Sequence, residues 1–362
     1  MTNKIKFFDL KETNNIPELN DIINNFISEN NFILGKYVDD FENKIKKYLN
    51  CDYFLSVSSG SDALNIVFDL LNFKPNTEIL TTPLTFTATV DSLIRHRLTP
   101  KFIDISKENF NLNVDLIEEN ITKNTKAILN VDLFGCPSDY KKLNNIAKKH
   151  NLILINDSAQ SMGTKYDGKL NNEYFDFSTL SFFPTKNLGC FGDGGGVIAK
   201  DGKSFEKLKS LRIHGKENDD IKYLGGNYRL DSIQAVILSK KLEYLNDILL
   251  FKRNLAGKYN NYFKNINNQA IYWQNNSVNG HSYSLYSILV ENRSDFIKYM
   301  TKNNIETRIY YDKLIFDNTL FSKYKVNLPI AEEIKSKIIS IPFYYGIKND
   351  EVEYIFQKIK EW

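Results

Sequence analysis

The chain has 362 residues, of which 42% are hydrophobic and 25% charged, a balance typical of a globular protein with a sizeable core. Its net charge of +3 comes from basic and acidic residues that alternate instead of forming blocks, which argues against a nucleic-acid surface. The N-terminus lacks the apolar core of a signal peptide and no stretch reaches the ~18 apolar residues of a membrane helix, so we expect a cytoplasmic protein. Cys51, Cys136 and Cys190 are widely spaced, and we expect neither a disulfide nor a metal site.

Short apolar runs and amphipathic stretches alternate through the first half of the chain. The apolar runs predict five β-strands, at 53–57, 78–82, 101–105, 126–131 and 152–156. The stretches between them predict amphipathic helices, as at 62–71 and 140–150. Because strands and helices that alternate in this way form βαβ units, we expect an α/β fold with a mainly parallel sheet.

The second half departs from this alternation. Strands predicted at 176–182 and 195–200 have no helix between them. Apolar residues at helical spacing from Arg229 to about Lys264 predict a helical segment long enough to link two domains. Beyond it, one strand and two helices are predicted, at 283–290, 295–303 and 350–360.

The position of the helical segment suggests two domains. We place a large cofactor-binding domain at 1–245 and a smaller α+β C-terminal domain at 246–362. The N-terminal segment is included in the large domain, with packing on the small domain as the alternative.

The segment SSGSDAL, residues 58–64, directly follows the first predicted strand. Gly60 permits a tight turn and Ser61 offers a hydroxyl, while the first backbone N–H groups of the new helix can receive an anion. The segment therefore predicts a phosphate-binding loop. The alternative is an ordinary helix cap.

Asp157 lies in NDSAQ, residues 156–160, at the end of the fifth predicted strand. A carboxylate at the end of a buried apolar strand is costly unless a cation or several donors meet it. A pyridinium nitrogen would be a suitable partner, and Asp157 would keep it protonated. A helix cap is again the alternative.

Lys186 lies in SFFPTKNLGCFGDGGGV, residues 181–197. A lysine amine is a nucleophile only when it is deprotonated, and a site that removes water from it lowers its pKa toward that form. Phe182, Phe183 and Pro184 would exclude water, and the following glycines would let the backbone turn back tightly. The alternative is a lysine on an exposed loop.

Phe86 lies in TFTAT, residues 85–89, after another predicted strand. Its ring can offer a flat face to a planar ligand, with core packing as the alternative. An anion-binding loop, a ring face, a carboxylate and a shielded lysine together match the demands of pyridoxal 5′-phosphate (PLP). No other common cofactor needs all four.

Further motifs extend these four segments over nearly the whole chain: NFILGKYVDDFE, VSSGSDAL, TTPLTFTAT, VDLFGCP, NDSAQSMGTKYDGK, SFFPTKNLGCFGDGGGV, GGNYRLDSIQA and SIPFYYGIKNDEVEYI. This ordered set resembles the DegT/DnrJ/EryC1/StrS family, the PLP-dependent sugar aminotransferases. The resemblance implies the aspartate aminotransferase (type I) fold, with a mainly parallel seven-stranded sheet between helices and a smaller α+β domain.

The resemblance also implies roles for individual residues. Lys186 would bind the cofactor covalently and later move a proton, and Asp157 would pair with the ring nitrogen. Gln160 would contact the ring hydroxyl and Phe86 would stack on the ring. The phosphate would be held by Gly60, Ser61, the Asp62 backbone, Ser181 and, from a second subunit, Asn227. A site completed by a second subunit implies a homodimer.

The implied reaction transfers an amino group from L-glutamate to a UDP- or dTDP-linked ketosugar, for surface-glycan or lipopolysaccharide biosynthesis. The KNLG and FGDGG motifs resemble those of members that aminate the third sugar carbon. The alternatives are amination of the fourth carbon and a non-catalytic, PLP-binding regulatory role. Members with histidine in place of the lysine act as dehydratases, so Lys186 favours transamination. Arg229 and Tyr311 are predicted to touch the substrate, and Arg229, next to Asn227, is expected to come from the second subunit as well. The alternatives are that Arg229 simply starts a helix and that Tyr311 simply packs.

The chain departs from the family pattern at several positions. Ser61 stands where many relatives have Thr, and Asn156 where many have Glu. A larger departure follows Tyr311, where relatives usually read YPxPLH. There Asp312 and Leu314 replace prolines and Phe316 replaces the histidine. Because that loop approaches the substrate in relatives, these changes concern the identity of the sugar.

Overall fold

A computed structural model describes residues 4–266, 271–273 and 280–362. Its α-helices are α1 Leu10–Thr13, α2 Leu19–Glu29, α3 Lys36–Leu49, α4 Gly60–Leu71, α5 Thr87–Arg95, α6 Tyr140–Lys149, α7 Gly202–Leu211, α8 Ser232–Leu242, α9 Leu245–Asn265, α10 Arg293–Lys302, α11 Pro329–Lys337 and α12 Asn349–Glu361. Its strands are β1 Tyr53–Val57, β2 Glu78–Thr81, β3 Thr99–Phe102, β4 Thr125–Val131, β5 Ile153–Asp157, β6 Lys165–Tyr166, β7 Lys169–Leu170, β8 Phe177–Ser181, β9 Gly195–Ala199, β10 Lys216–Glu217, β11 Asp220–Ile221, β12 Ile271–Trp273, β13 Tyr286–Val290 and β14 Ile338–Ile341.

Seven strands form the central sheet, in the order β1-β9-β8-β5-β4-β2-β3. The five strands from β8 to β3 in this order are parallel, and β9 is antiparallel to both of its neighbours. Since β9 lies between β8 and β1, those two strands run in the same direction. The predicted mainly parallel, seven-stranded sheet is confirmed, as is the succession of β8 and β9 without a helix between them.

Both faces of this sheet are buried, as the continuous apolar runs of its strands predict. Leu129 and Ile155 pack in the cluster that includes α4 and α7, whereas Ile128 and Leu154 pack in the cluster that includes α6. Alternate residues of a strand point to opposite faces, so each strand contributes to two layers of the core. The sheet is therefore held firmly between helices, and its strand ends are fixed in position.

A second core lies in the C-terminal part of the chain. The strands β12, β13 and β14 form an antiparallel sheet, and α9, α10 and α12 pack with it around Tyr259, Ile288, Phe296 and Ile355. Ile5 belongs to the same cluster and pairs with Ile305. The division of the chain into domains at residue 245 stays a prediction.

The helical segment predicted from Arg229 to about Lys264 is wrong as one continuous helix. The structure has two helices, α8 and α9, separated by Glu243 and Tyr244, and the first begins at Ser232. The Glu243 and Tyr244 N–H groups donate to carbonyls three residues back, which tightens the backbone at the junction. Apolar periodicity continues across such a turn, so it did not reveal the break.

The strand predicted at 101–105 is shifted. In the structure β3 is Thr99–Phe102, and Asp104 lies beyond it. The Asp104 carboxylate accepts hydrogen bonds from the Ile330 and Ala331 N–H groups at the start of α11. Asp104 therefore caps a distant helix instead of continuing the strand.

Candidate active site

Four loops gather beyond the carboxyl ends of β1, β2, β5 and β8. Val57 and Ser181, the last residues of β1 and β8, both pair with Gly195 of β9, so these two ends lie level. The carboxyl ends of strands that run in one direction share one edge of a sheet, which is where α/β proteins bind ligands. The four predicted segments are therefore brought to one region.

The loop after β1 presents free backbone donors. Ser59 caps α4 by accepting a 3.0 Å hydrogen bond from the Asp62 N–H, and the Ser58 and Ser59 hydroxyls donate to the Asp62 carboxylate. Among the described residues, the Gly60 and Ser61 N–H groups have no acceptor. Two unpaired donors at a helix N-terminus suit an anion. Because the Asp62 N–H already donates to Ser59, its phosphate contact stays a prediction.

Glycines are required where this loop touches the sheet. A Cβ on Gly60 would lie 2.7 Å from the Ser181 Cβ, and a Cβ on Gly195 would collide with the Ser59 carbonyl oxygen. The backbone at Gly60 is therefore pressed against the end of β8. This packing brings the predicted phosphate ligands Gly60 and Ser181 together.

Asp157 ends β5 and is buried at the centre of the site. Its carboxylate accepts a 2.7 Å hydrogen bond from the Thr89 hydroxyl and a 3.2 Å bond from the Ala159 N–H. Thr89 in turn contacts the Thr85 hydroxyl at 2.9 Å, and since its own proton points to Asp157, Thr85 is the donor. Burial raises the pKa of Asp157, while these hydrogen bonds and the charge of Lys186 lower it.

Lys186 lies in the loop between β8 and β9, half-buried, with its N–H donating to the Phe183 carbonyl. Burial lowers the pKa of its amine to about 8, although the nearby charge of Asp157 raises it. Phe182 is fully buried beneath the loop, but Phe183 is 48% exposed, so the prediction that both rings exclude water is wrong for Phe183. A lowered pKa makes the amine easier to deprotonate than an ordinary lysine, as a nucleophilic lysine requires.

Gln160 and Tyr311 form a second side of the site. The Gln160 amide donates a 3.2 Å hydrogen bond to the Tyr311 hydroxyl and accepts one from the Phe134 N–H. The rings of Tyr311 and Phe86 lie 6.4 Å apart, and Phe86 is 56% exposed, so its face is free for a ligand. The structure thus brings Gln160 and Phe86, two separately predicted residues, next to a third, Tyr311.

Asn227 and Arg229 lie in the segment before α8 and not at the carboxyl end of a strand of the central sheet. Between them, Tyr228 accepts a hydrogen bond from the Ser58 N–H, which ties this segment to the phosphate loop of the same chain. Asn227 is exposed and Arg229 is half-buried. A contribution of these two side chains to a second subunit stays a prediction.

The departure after Tyr311 has a structural explanation. Phe316 is fully buried and packs edge-to-face on Phe102 at a ring separation of 5.4 Å. Asp312 is exposed, and Leu314 is buried in the same cluster as Phe316. Leu314 and Phe316 therefore belong to the core, and Tyr311 is the residue of this loop that contacts the site.

A family model settles the relationship of this chain to known proteins. The model of the DegT/DnrJ/EryC1/StrS aminotransferase family matches residues 14–360. The chain belongs to this family. The resemblance seen in the motifs is confirmed, and with it the type I fold, the aminotransferase class and PLP as the cofactor.

Similar proteins cover almost the full length of this family member. A pleiotropic regulatory protein of Geobacillus stearothermophilus is 34% identical over 96% of this chain and 94% of its own. The dTDP-3-amino-3,6-dideoxy-alpha-D-galactopyranose transaminase of Aneurinibacillus thermoaerophilus is 33% identical over 99% of each chain. The solved structure of S. venezuelae DesV, in complex with a ketimine intermediate, is 26% identical, covers 100% of this chain and 99% of that one, and gives a TM-score of 0.95.

The residues of this aminotransferase fit PLP. The unpaired Gly60 and Ser61 N–H groups suit its phosphate, and the close packing at Gly60 leaves no space for a side chain. The buried Asp157 carboxylate suits a protonated ring nitrogen, and Lys186 offers an amine that is easily deprotonated.

In the described part of the chain, no group of His, Cys, Asp and Glu residues could hold a metal ion, and no helix is long and apolar enough to cross a membrane.

Three residues of the site escaped the sequence analysis. Thr89 lies in the TFTAT segment, for which the sequence analysis predicted a role of Phe86 alone. The three threonines near the start of a predicted helix were the signal that could have indicated Thr89. Asp132 and Asn187 are buried. Their hydrogen-bond partners include residues remote in sequence, so the sequence alone gave no signal for either. Asn187 accepts a 2.7 Å hydrogen bond from the Lys252 ammonium and donates to the Ser282 carbonyl, which anchors the loop next to Lys186.

Proposed function

We propose that this aminotransferase moves an amino group from L-glutamate to the third carbon of a UDP- or dTDP-linked ketosugar, for surface-glycan or lipopolysaccharide biosynthesis. The observation that carries the proposal is the gathering of the Lys186 amine, the buried Asp157 carboxylate and the Gly60 loop at one edge of the sheet, where the charges of Lys186 and Asp157 influence each other. The similarity to a dTDP-3-amino-sugar transaminase supports the third carbon as the position of amination.

The chain supplies a ligand for each part of the cofactor. The N–H groups of Gly60 and Ser61 and the Ser181 hydroxyl bind the phosphate, a contact favoured by the helix N-terminus. Asp157 pairs with the ring nitrogen and keeps it protonated. The remaining contacts are the Gln160 amide with the ring hydroxyl and the Phe86 ring face with the pyridine ring.

The protein positions the reacting groups and moves protons. When bound, PLP draws electrons from the substrate carbon and carries the amino group from one substrate to the other. Lys186, with a pKa lowered to about 8, is neutral far more often than an ordinary lysine and can take up the cofactor. Once released, its amine moves a proton between the two carbons that react, a role that contributes typically about 10²–10⁴-fold to the rate.

The working form is proposed to be a homodimer. Asn227 completes the phosphate site of the partner subunit, and Arg229 and Tyr311 contact the substrate. The exposure of Asn227 supports this, as does the exposure of Ile221 and Leu224 nearby, at 71% and 93%. Large exposed apolar side chains on one segment are typical of a contact surface. A cytoplasmic location stays a prediction.

The test is turnover with defined substrates. Purified protein loaded with PLP is incubated with L-glutamate and a panel of 3-keto and 4-keto UDP- and dTDP-sugars, and the products are identified by mass spectrometry. We expect 2-oxoglutarate and a 3-amino sugar from one or more 3-keto substrates, and no amino sugar from Lys186→Ala. If only the 4-keto sugars are aminated, the enzyme transfers the amino group to the fourth carbon. Removal of water from a panel sugar by both the wild type and Lys186→Ala, with no amino sugar formed, would instead indicate a lysine-independent dehydratase.

A regulatory role is the second candidate, because the relative from Geobacillus stearothermophilus is named as a regulatory protein. A non-catalytic regulator would bind PLP and yet transfer no nitrogen from glutamate to any member of the panel. That result, obtained with protein shown to hold one PLP per chain, would replace the enzymatic proposal.

A further inference from the structure

Asp132 directly follows β4 and lies beside the end of the Asp157 strand. Val131 pairs with Asp157 across β4 and β5, and the Asp132 N–H faces the Asp157 carbonyl oxygen at 3.4 Å. The Asp132 side chain is fully buried. None of the proposed cofactor contacts involves this carboxylate, and burying a charge is costly unless hydrogen bonds compensate it.

The Asp132 carboxylate accepts five hydrogen bonds, from Tyr140 Oη at 2.6 Å, Asn156 Nδ2 at 2.7 Å, Asn130 Nδ2 at 2.9 Å, Ser161 Oγ at 3.0 Å and Asn171 Nδ2 at 3.1 Å. Burial raises the pKa of Asp132, and the hydrogen bonds oppose this rise. Three of the five donors are amide N–H groups, which cannot accept a proton from a carboxylic acid. The donor set therefore fits the ionised carboxylate.

Asn156 links this carboxylate to the active site. Its amide nitrogen donates to Asp132 and to the Ser158 hydroxyl, and its oxygen accepts a 2.7 Å hydrogen bond from Asn130. All of its contacts are satisfied inside the protein, so the side chain is held in one orientation. Because Asn156 immediately precedes Asp157 in β5, the network fixes the backbone from which the Asp157 carboxylate projects.

The titratable groups around Asp132 come from three elements. Tyr140 faces it from α6, Cys136 from the segment after β4, and Asp157 from β5. Burial raises the pKa of Tyr140 and of Cys136, so both are neutral at physiological pH. The charge of Asp132 raises the pKa of Asp157, whereas Lys186, which faces Asp157, lowers it. Asp132 thus adds a second negative charge behind the one that faces the ring.

We propose that Asp132 is a positioning residue for the cofactor: it fixes Asp157 through Asn156, and its charge helps to keep the ring nitrogen of PLP protonated. This inference rests on the proposed pairing of Asp157 with that nitrogen. Asp132 does not touch the cofactor itself, and it acts through the neighbouring strand.

The experiment is an NMR titration of the full-length protein loaded with PLP that carries ¹⁵N in the ring. The ¹⁵N chemical shift reports whether the ring nitrogen is protonated. In Asp132→Asn the nitrogen should lose its proton at a pH lower by on the order of one unit, the effect of a unit charge about 10 Å away at an effective dielectric constant of about 20. The matched control is Asp104→Asn, a buried carboxylate after β3 that caps α11, which should leave the titration unchanged.

A second variant covers the case in which Asp132→Asn does not fold. Asn156→Ala deletes the link and keeps the charge, so PLP affinity should fall several-fold while the ring nitrogen titrates close to wild type. An unchanged titration in folded Asp132→Asn, or an unchanged PLP affinity in Asn156→Ala, would overturn the inference. Asp157→Asn distinguishes a failure of the role inferred for Asp132 from a failure of the proposed function. If that variant also leaves the titration of the ring nitrogen unchanged, the proposed pairing of Asp157 with this nitrogen is wrong.

Discussion

The Thr89 hydroxyl donates a 2.7 Å hydrogen bond to the Asp157 carboxylate, joining the first turn of α5 to the end of β5. The bond holds one carboxylate oxygen in place and favours the charged form. Thr85 supports Thr89 from behind, so two hydroxyls of the TFTAT segment serve the same carboxylate. The segment predicted for its aromatic ring therefore also fixes the residue that would meet the cofactor nitrogen.

Replacing Thr89 with valine removes this hydrogen bond with little change in shape. A hydrogen bond to a charged group contributes about 1.5–3 kcal/mol, so we expect PLP to bind about ten-fold or more weakly to Thr89→Val, measured by equilibrium titration of the apoprotein. Thr87→Val is the matched control, because Thr87 is exposed on the same helix. Equal affinities of the two variants would show that the bond to Asp157 does not serve cofactor binding.

Gly60→Ala tests the close packing of the phosphate loop. The new Cβ would lie 2.7 Å from the Ser181 Cβ, so the loop must move and its N–H groups lose their alignment. We expect PLP affinity to fall about ten-fold or more while the protein stays folded, since removing a single donor to an anion already costs about 1–3 kcal/mol.

Gly257→Ala is the control for this substitution. Gly257 lies within α9, and a Cβ there would meet nothing within 4 Å. This change should raise the free energy of unfolding by about 0.4–1 kcal/mol and leave PLP affinity unchanged. If Gly60→Ala behaves like Gly257→Ala, the loop does not bind the phosphate as proposed.

The lowered pKa of Lys186 predicts how cofactor uptake depends on pH. Only the neutral amine attacks an aldehyde, so the rate of covalent PLP capture by the apoprotein should rise as the pH increases to about 8 and then level off. The negative charge of Asp157 raises the pKa of Lys186, so in Asp157→Asn the plateau should begin at a lower pH. Stopped-flow absorbance would follow the reaction, and a rate that still climbs near pH 10 would contradict the account.

Lys252 predicts a pH dependence of stability. Its ammonium is buried, and burial lowers its pKa from the ordinary 10.5 to about 7. Between those values the unfolded chain binds more protons at this residue than the folded protein does, so its contribution makes the free energy of unfolding rise with pH. Lys252→Met should remove part of this slope between pH 7 and 10, seen by chemical denaturation at several pH values. Parallel curves for the variant and the wild type would show that Lys252 stays protonated when folded.

Residues at strand ends were predictable, and their partners were not. The roles proposed for Gly60, Asp157 and Lys186 follow from loops that come after strands of one direction, which must share one edge of the sheet. Asp132 lies at such an end too, but three of its five donors, Asn156, Ser161 and Asn171, come from segments at least 24 residues away that nothing local brings together. The burial of Phe316 against Phe102 was also not predicted, for a different reason. A phenylalanine in a sequence can belong to a core or to a substrate loop, and the residue type alone does not distinguish the two.

The most direct test of the account is to locate the lysine that binds PLP. Lys241 and Lys252 line the same small cavity as Lys186, and burial lowers the pKa of all three amines, to about 8, 7 and 8 respectively. The protein is treated with PLP and borohydride, digested and sequenced by mass spectrometry. We predict a phosphopyridoxyl group on Lys186 alone, lost in Lys186→Arg and kept in Lys241→Arg and Lys252→Arg. A modification at either other lysine in place of Lys186, or none at all, would contradict the account.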